Sequence, residues 1–436
     1  MAYTEDIVTE LNLEFPNEKF LFVRFEPMML DFLKPFKGIM IVNSSSKEVR
    51  INFNDLQLNR GVRSILSPVF SKGRTVLTWD IKQFFTYIKK HLPELDKKVE
   101  CRIVDLKYGS LFYGNRYAKE PGSFSEAVKL AKTFVSDTKW YDINQKIYVP
   151  LATEVLPRIE TLGVINSETG SVLYSSYEIE AQTNGRLSTH KISDRYAFPH
   201  SMGPEQKALL LLRSEEYESR VFGYFDYNHM EVSMLQWLTK DNVHGDILND
   251  GKDFYASLHQ LIFKSPCDTE EKRRLVKGFF LPIMYGLQSS NLSKKLKISQ
   301  SDAEDIISIQ NKTFKTATEW LASKQNDVKN NPIAIDYFGR RRDFTDEPSH
   351  KRRNFEIQAP GAMICLERLC HLSKSFQDCL VFHIHDGYVL TLPNKDALDK
   401  VSEIKSVLES PSPLAEGLSL RISAEIGSRL DSLNKV

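Results

Sequence analysis

Cysteine is scarce and unpaired in this chain. The 436 residues hold five, Cys101, Cys267, Cys365, Cys370 and Cys379, with no CxxC spacing among them. That excludes a disulfide framework and a structural zinc finger, and it predicts a reduced, cytoplasmic setting. Long apolar runs are also missing. No stretch approaches the roughly 18 residues a membrane helix needs, so no membrane partner is expected. The opening "MAYTEDIVTELNLEF" is acidic and has no apolar core, so no signal peptide is expected. Internal repeats, low-complexity tracts and long linkers are absent. Net charge is nearly so, at +1, which means that any nucleic-acid binding must come from a local basic cleft. What is present is ordinary globular material: 41% hydrophobic, 26% charged and 11% aromatic residues, enough for several packed cores.

Periodicity divides the chain coarsely. Residues 20 to 110 read as a small α/β unit. Within it, "GIMIVNSSSKEVRINF" predicts a hairpin and "WDIKQFFTYIKKHL" an amphipathic helix ended by Pro93. "CRIVDLKYGSLFYG" follows as a strand or helix start, and helical periodicity then runs from Ser123 to Gly163. From about Tyr174 onward strands and helices alternate without βαβ regularity. Basic residues gather in Glu271–Lys297 and in Gly339–Asn354. A charge run alone is as often a solvated helix face as a binding site. In the first run, however, Arg273, Lys277, Leu281 and Tyr285 are spaced by four. One helical stripe would then carry two cations followed by an apolar and an aromatic group, a pattern suited to an anionic ligand ending in a flat ring.

Two strand-like runs each carry a carboxylate. In "FGYFDYNHMEVSML" Asp226 interrupts an aromatic run and Glu231 follows; in "CLVFHIHDGYVLTLP" Asp386 sits at the centre of a predicted strand, with Gly387 expected to allow a tight turn. A lone strand Asp is usually a turn or bulge residue. Two brought side by side would repel, and divalent cations would remove that cost. Aspartates without cysteine or paired histidine favour hard Mg²⁺ over Zn²⁺. A two-metal site of that kind serves in-line phosphoryl displacement.

With these motifs in view the sequence resembles family A DNA polymerases, the DNA polymerase I family, from about Tyr148 to Thr391. "FDYNHMEVSML" is similar to motif A (DYSQIELR), keeping Asp226, Tyr227 and Glu231 but with Asn228-His229 and Ser233 changed. "RRLVKGFFLPIMYG" is similar to motif B (RxxxKxxxFxxxYG), keeping Arg273, Lys277, Tyr285 and Gly286, with Leu281 for the ring and Pro282 for a common glycine. "HIHDGYVL" is similar to motif C (VHDE), keeping His385 and Asp386, with Gly387 for the glutamate. "TNGRLST" resembles TGRLSS, with Arg186; "FGRRR" and "NFEIQAPGAMICL" resemble the segments before motif C, with Arg340, Arg341, Asn354 and Gln358. The last segment is closer in style to short phage replicative members.

The resemblance implies a template-directed DNA polymerase that adds deoxynucleotides to a primer 3′-hydroxyl. Asp226, Asp386 and the Tyr227 carbonyl would hold two Mg²⁺ ions, for which Mn²⁺ can substitute. One ion would activate the 3′-hydroxyl and the other would hold the triphosphate. Arg273 and Lys277 would grip phosphates, Lys277 also protonating the leaving pyrophosphate. Tyr285 would sit against the templating base, and Glu231 would exclude a ribose 2′-hydroxyl. Arg186 and Gln358 would read minor-groove acceptors. Asn354, His385, Arg340 and Arg341 would join them in contacting DNA. Leu281 removes the ring that packs on the incoming sugar, Pro282 should remove a helix hydrogen bond, and Gly387 takes one charge from the metal site's edge.

The implied fold is α+β, a right-hand polymerase with an antiparallel-sheet palm, helical fingers and a reduced thumb. The expected division is 1–115 for a degenerate 3′→5′ exonuclease-like α/β domain and 116–180 for a reduced helical thumb. Palm then occupies 181–241, fingers 242–335, and palm again 336–436. Exonuclease chemistry is expected to be lost, because "VRFEP" has Arg24 where a D-x-E motif needs aspartate, and "WDIKQF" matches HNxKFD poorly. An unrelated accessory domain is the alternative. The expected partners are primer-template DNA, dNTPs and a processivity factor, with a monomeric chain in a bacterial or phage-infected cell. Two rival readings remain. One is a single-subunit RNA polymerase, against which Glu231 and "TNGRLST" argue. The other is a catalytically degenerate DNA-binding relative, against which joint retention of Asp226, Asp386, Arg273 and Lys277 argues.

Overall fold

The computed structural model describes residues 20–26, 38–52, 69–91, 99–189, 192–197, 199–212, 219–249 and 253–436. The expected helix stop at Pro93 lies outside them. The chain forms two compact units. The first comprises Met1–Asp226, Cys365–Leu408 and Ser423–Val436; the second comprises Tyr227–Ile364 and Glu409–Ile422. In chain order the strands are β1 (Phe20–Glu26), β2 (Gly38–Val42), β3 (Glu48–Asn52), β4 (Thr75–Thr78), β5 (Arg102–Asp105), β6 (Val164–Asn166), β7 (Val172–Leu173), β8 (Tyr177–Glu178), β9 (Ser188–Thr189), β10 (Leu210–Leu211), β11 (Arg220–Asn228), β12 (Ile333–Ile335), β13 (Arg341–Asp343), β14 (Leu380–Ile384), β15 (Gly387–Pro393), β16 (Arg421–Gly427) and β17 (Asn434–Lys435).

The first unit opens with a mixed sheet ordered β3-β2-β1-β4-β5. The expected hairpin forms, with β2 antiparallel to β3, while β1, β4 and β5 run parallel. Every residue of β2 and β4 is buried, as in strands covered on both faces. The amphipathic stretch is a helix over Lys82–His91. "CRIVDLKYGSLFYG" is both things at once, β5 followed by a helix over Leu106–Phe112 that Asp105 caps. Helical segments fill Phe124–Leu162 and stop at Gly163, whose φ of 70° a side chain would strain.

Buried and half-buried ion pairs tie this unit together. Glu160, fully buried, accepts bonds from Lys82 Nζ (2.6 Å), Thr86 Oγ1 (2.7 Å) and the Tyr177 N–H (2.6 Å). Asp80 accepts from Lys107 Nζ at 2.6 Å and from Tyr108 Oη at 3.1 Å. Arg24 reaches Glu120 through Nε at 3.1 Å.

A second sheet, ordered β14-β15-β11-β16-β17, carries the carboxylate runs. Its face packs Phe222, Phe382 and Val389 against Val164, Leu210 and Leu212. The run around Asp386 differs from the single strand expected. β14 and β15 form a hairpin in which Ile384 pairs with Gly387 across a His385–Asp386 turn. The left-handed residue is His385, at φ 56°, and Gly387 is already the first residue of β15.

The second unit is mainly helical, over Met230–Thr239, Asn242–Asn249, Phe254–Phe263, Glu270–Met284, Ser289–Leu296, Gln300–Thr313 and Lys315–Asp327, with the β12–β13 hairpin and part of a long helix over Lys351–Phe376. Its aromatic centre is Phe254, Phe280 and Phe314, with the His244 ring 4.1 Å from Phe314. The Glu270–Met284 helix starts as its sequence requires. Thr269 caps the Lys272 N–H, and Glu270 and Glu271 face the positive helix end.

Pro282 sits inside this helix, as expected, but its cost is offset. The carbonyl it leaves without an N–H donor is that of Gly278, and Lys295 Nζ donates to it at 2.6 Å. Arg340, expected to contact DNA, is instead fully buried, 3.8 Å from Asp336. The alternation of a short hairpin explains this, since Arg340 points inward next to an exposed Arg341.

Candidate active site

The carboxylate centre of the first unit is built by strand register. β11 and β15 are antiparallel, with Asp226 opposite Gly387, so Asp386 lies beside Asp226 at the hairpin turn. Ser423 Oγ of β16 donates to the Asp226 carbonyl at 3.2 Å. Each carboxylate has a neighbour that orients it. Arg186 Nη2 donates to Asp386 at 3.0 and 3.4 Å, and Tyr224 Oη donates to Asp226 Oδ1 at 3.3 Å. Burial, and then the charges of Asp226, Asp386 and Glu425, push the Tyr224 phenol well up, so it keeps its proton and serves as a donor.

Behind the hairpin, Tyr177 donates to the His383 carbonyl at 3.0 Å and accepts from the His383 N–H at 3.1 Å. His200 lies 5.0 Å from the His385 ring. Burial, then neighbouring His385 and Arg186, lower His200 to about 4, so it is neutral at physiological pH.

These residues suit a divalent cation. Two hard carboxylates stand side by side, and Arg186 brings a single positive charge against them. Among the described residues no group of three or more His, Cys, Asp or Glu could hold a metal ion. Two carboxylates would leave the other positions of a hard cation to further oxygen ligands.

The second unit holds the other predicted residues in two linked groups. Glu231, in the first turn of the Met230–Thr239 helix, accepts from Tyr285 Oη and from Gln358 Nε2, each at 2.7 Å. Tyr285, the last member of the predicted stripe, is the cap that ends the Glu270–Met284 helix, one residue beyond its last helical position. Arg273 does not project freely. Its guanidinium donates to Asp253 Oδ2 at 3.0 and 2.9 Å and lies over the Tyr255 ring. Asp253 also caps its own helix, accepting the Ala256 N–H at 2.8 Å. Burial opposes its charge, but Arg273 and that N–H hold its carboxyl below the ordinary value. Lys277 lies on the same helix; burial lowers the His229 imidazole below its ordinary value, against the Asp253 charge and with help from Arg273 and Lys277. Leu281 and Asn354 are half-buried and Arg341 is exposed.

The structure therefore brings Asp226 beside the Asp386 turn and carries Arg273, Lys277 and Leu281 on one helix, as the sequence reading expected of their placement. That reading missed Tyr224, Tyr177, Asp253 and Lys295. Asp253 was findable as a cap before "FYASLHQLIF", and Tyr224 as the same-face neighbour two residues before Asp226. Tyr177 and Lys295 act across long sequence separations and leave no local signal.

Comparison with known proteins agrees with this geometry. A "DNA polymerase family A" profile matches residues 152–432. The thermostable DNA polymerase I of Thermus filiformis is 25% identical over 212 residues, covering 45% of this chain and 26% of that protein. DNA polymerase I of Helicobacter pylori (strain ATCC 700392 / 26695) is 23% identical over 277 residues, covering 60% of this chain and 30% of that protein. The chain thus spans less than a third of the length of these relatives. Among solved structures, the POL domain of Pol1 from M. smegmatis, in complex with DNA primer-template and dNTP, has the same fold, with a TM-score of 0.79, 13% identity and 98% coverage of both chains. Because the profile matches well over half of its length, the chain belongs to DNA polymerase family A.

Proposed function

We propose that the protein is a template-directed DNA polymerase, joining deoxynucleotides to a primer 3′-hydroxyl. The observation that carries this reading is the pairing of Asp226 with the Asp386 hairpin, inside the family-matched region. Asp226, Asp386 and the Tyr227 carbonyl would hold two Mg²⁺ ions, or Mn²⁺ in their place. When bound, these ions supply charge neutralisation for the attacking and leaving oxygens.

The chain's own groups do the rest. Arg273 leaves Asp253 to grip the triphosphate, and Lys277 binds it and gives a proton to the departing pyrophosphate. Glu231, held by Tyr285 and Gln358, stands against a 2′-hydroxyl, while Tyr285 and Leu281 border the incoming nucleotide. Arg186, Gln358, Asn354, His385 and Arg341 contact the primer-template, with Arg186 and Gln358 exchanging carboxylates for minor-groove acceptors.

The N-terminal sheet is a degenerate exonuclease domain without proofreading. Its support is Arg24, paired with Glu120 where a metal ligand is required, and Lys107 neutralising Asp80. Residues 116–180 form a reduced thumb, 181–241 and 336–436 the palm, and 242–335 the fingers. The enzyme acts as a cytoplasmic monomer whose grip on DNA is supplemented by a processivity partner. Among the described residues no helix is long and apolar enough to cross a membrane.

Primer extension with dNTPs, and separately with NTPs, tests the reading. Wild type should extend with dNTPs and Mg²⁺. Asp226→Ala and Asp386→Ala should each abolish extension with DNA binding retained. Extension by either variant at rates near wild type, or a preference for NTPs, would overturn it.

A further inference from the structure

Tyr224 and Gly387 interlock beside the carboxylate pair. On the β11–β15 ladder Asp226 faces Gly387 and Tyr224 faces Val389, so Tyr224 lies diagonally across from Gly387 on the same face. A Cβ built on Gly387 would stand 2.7 Å from Tyr224 Cε2 and Oη and 2.9 Å from Cζ. The phenol therefore fills the room that any side chain at 387 would need. Gly387 has no positive φ to explain it, so the glycine answers to the close approach of this ring. The same ring ends in the hydroxyl that donates to Asp226 Oδ1. It also borders a cavity of about 200 Å³ with Glu425, Lys207, Met202, Ile384 and Leu433.

We propose that Tyr224 is a positioning residue: its hydroxyl fixes the Asp226 carboxylate for cation binding and nucleotidyl transfer, and Gly387 is glycine so that the ring can reach it. This rests on the polymerase reading above. The two aspartates are thereby oriented by different chemistry, Asp386 by a guanidinium that lowers the site's negative charge and Asp226 by a neutral phenol that does not. The phenol adds no charge beside Asp226 and restricts its rotation. A glutamate or alanine at 387 is incompatible with Tyr224 in this position.

Tyr224→Phe keeps the ring and removes only the donor. Hydrogen bonds to charged groups set the scale, and the 3.3 Å length puts the effect at its lower end. The expected result is a kcat about tenfold lower and Mn²⁺ binding to the protein, counted by electron paramagnetic resonance, about threefold weaker. KM for dNTP, affinity for primer-template and melting temperature should stay at wild-type values. A merely structural role would move the melting temperature and spare the kcat-against-KM split.

Gly387→Ala tests the interlock. It should reduce kcat about tenfold or more beside Tyr224, but less than about twofold in a Tyr224→Ala background. Tyr224→Phe with wild-type kcat and Mn²⁺ affinity, or Gly387→Ala equally harmful in both backgrounds, would overturn the proposal. If wild type extended no primer, the polymerase reading would fall. The Mn²⁺ titration would still decide whether Tyr224 positions Asp226, and the Gly387→Ala cycle read by melting temperature would still decide whether ring and glycine interlock.

Discussion

Replacing Tyr177 with Phe removes one oxygen from the interior of the first unit and should loosen the hairpin that carries Asp386. β14 is an edge strand, so the outward N–H and C=O of its residues have no neighbouring strand to pair with. At His383 a single side chain takes that strand's place: the Tyr177 hydroxyl accepts from the N–H at 3.1 Å and donates to the carbonyl at 3.0 Å. Tyr177 is 1% exposed and His383 2%, so water does not stand in when the oxygen is removed. Each buried backbone group left unpaired costs about 1–3 kcal/mol, so the pair costs about 2–6 kcal/mol of local stability. The lower bound corresponds to about a thirtyfold rise in local opening. Native-state hydrogen exchange reads this directly at the His383 amide. Tyr177→Phe should cut protection there by about thirtyfold or more and lower kcat through the disturbed Asp386 turn. A change below about threefold at His383 would refute the claim that this phenol replaces the missing strand.

Other substitutions test other parts of the argument. If Leu281 borders the incoming sugar as proposed, Leu281→Tyr adds a ring contact worth roughly 0.5–1.5 kcal/mol and should raise dideoxynucleotide acceptance up to about tenfold in competitive incorporation. An unchanged ratio would mean that Leu281 does not face the sugar. Pro282→Ala returns an N–H to the Gly278 carbonyl and should stabilise the second unit by up to about 3 kcal/mol, seen as a higher denaturation midpoint; no gain would mean that Lys295 already compensates fully. A primer with a mismatched 3′ end, incubated with Mg²⁺ and no nucleotide, should stay intact, and shortening by a nuclease-free preparation would show that the N-terminal unit degrades DNA.

The sequence by itself determined the local elements and the family resemblance. Alternation placed Asp226 in a strand, spacing by four put Arg273, Lys277 and Leu281 on one helix, and the Ser-rich turn set the β2–β3 hairpin. These depend on residues within a few positions of one another, where periodicity speaks directly. Asp386 was legible as a strand-borne carboxylate, but the turn that holds it was misassigned to Gly387. Glycine is the expected left-handed residue, and here His385 adopts that conformation instead. Arg340 looked like part of a basic surface and is core, because charge counts do not say which side of a short hairpin faces inward. Only the tertiary structure decided why Gly387 is glycine, what satisfies the Gly278 carbonyl above Pro282, and what holds β14 at the sheet edge. Each of those answers comes from a side chain remote in sequence, Tyr224, Lys295 or Tyr177, and its effect exists only once packing brings that side chain within contact distance of its partner.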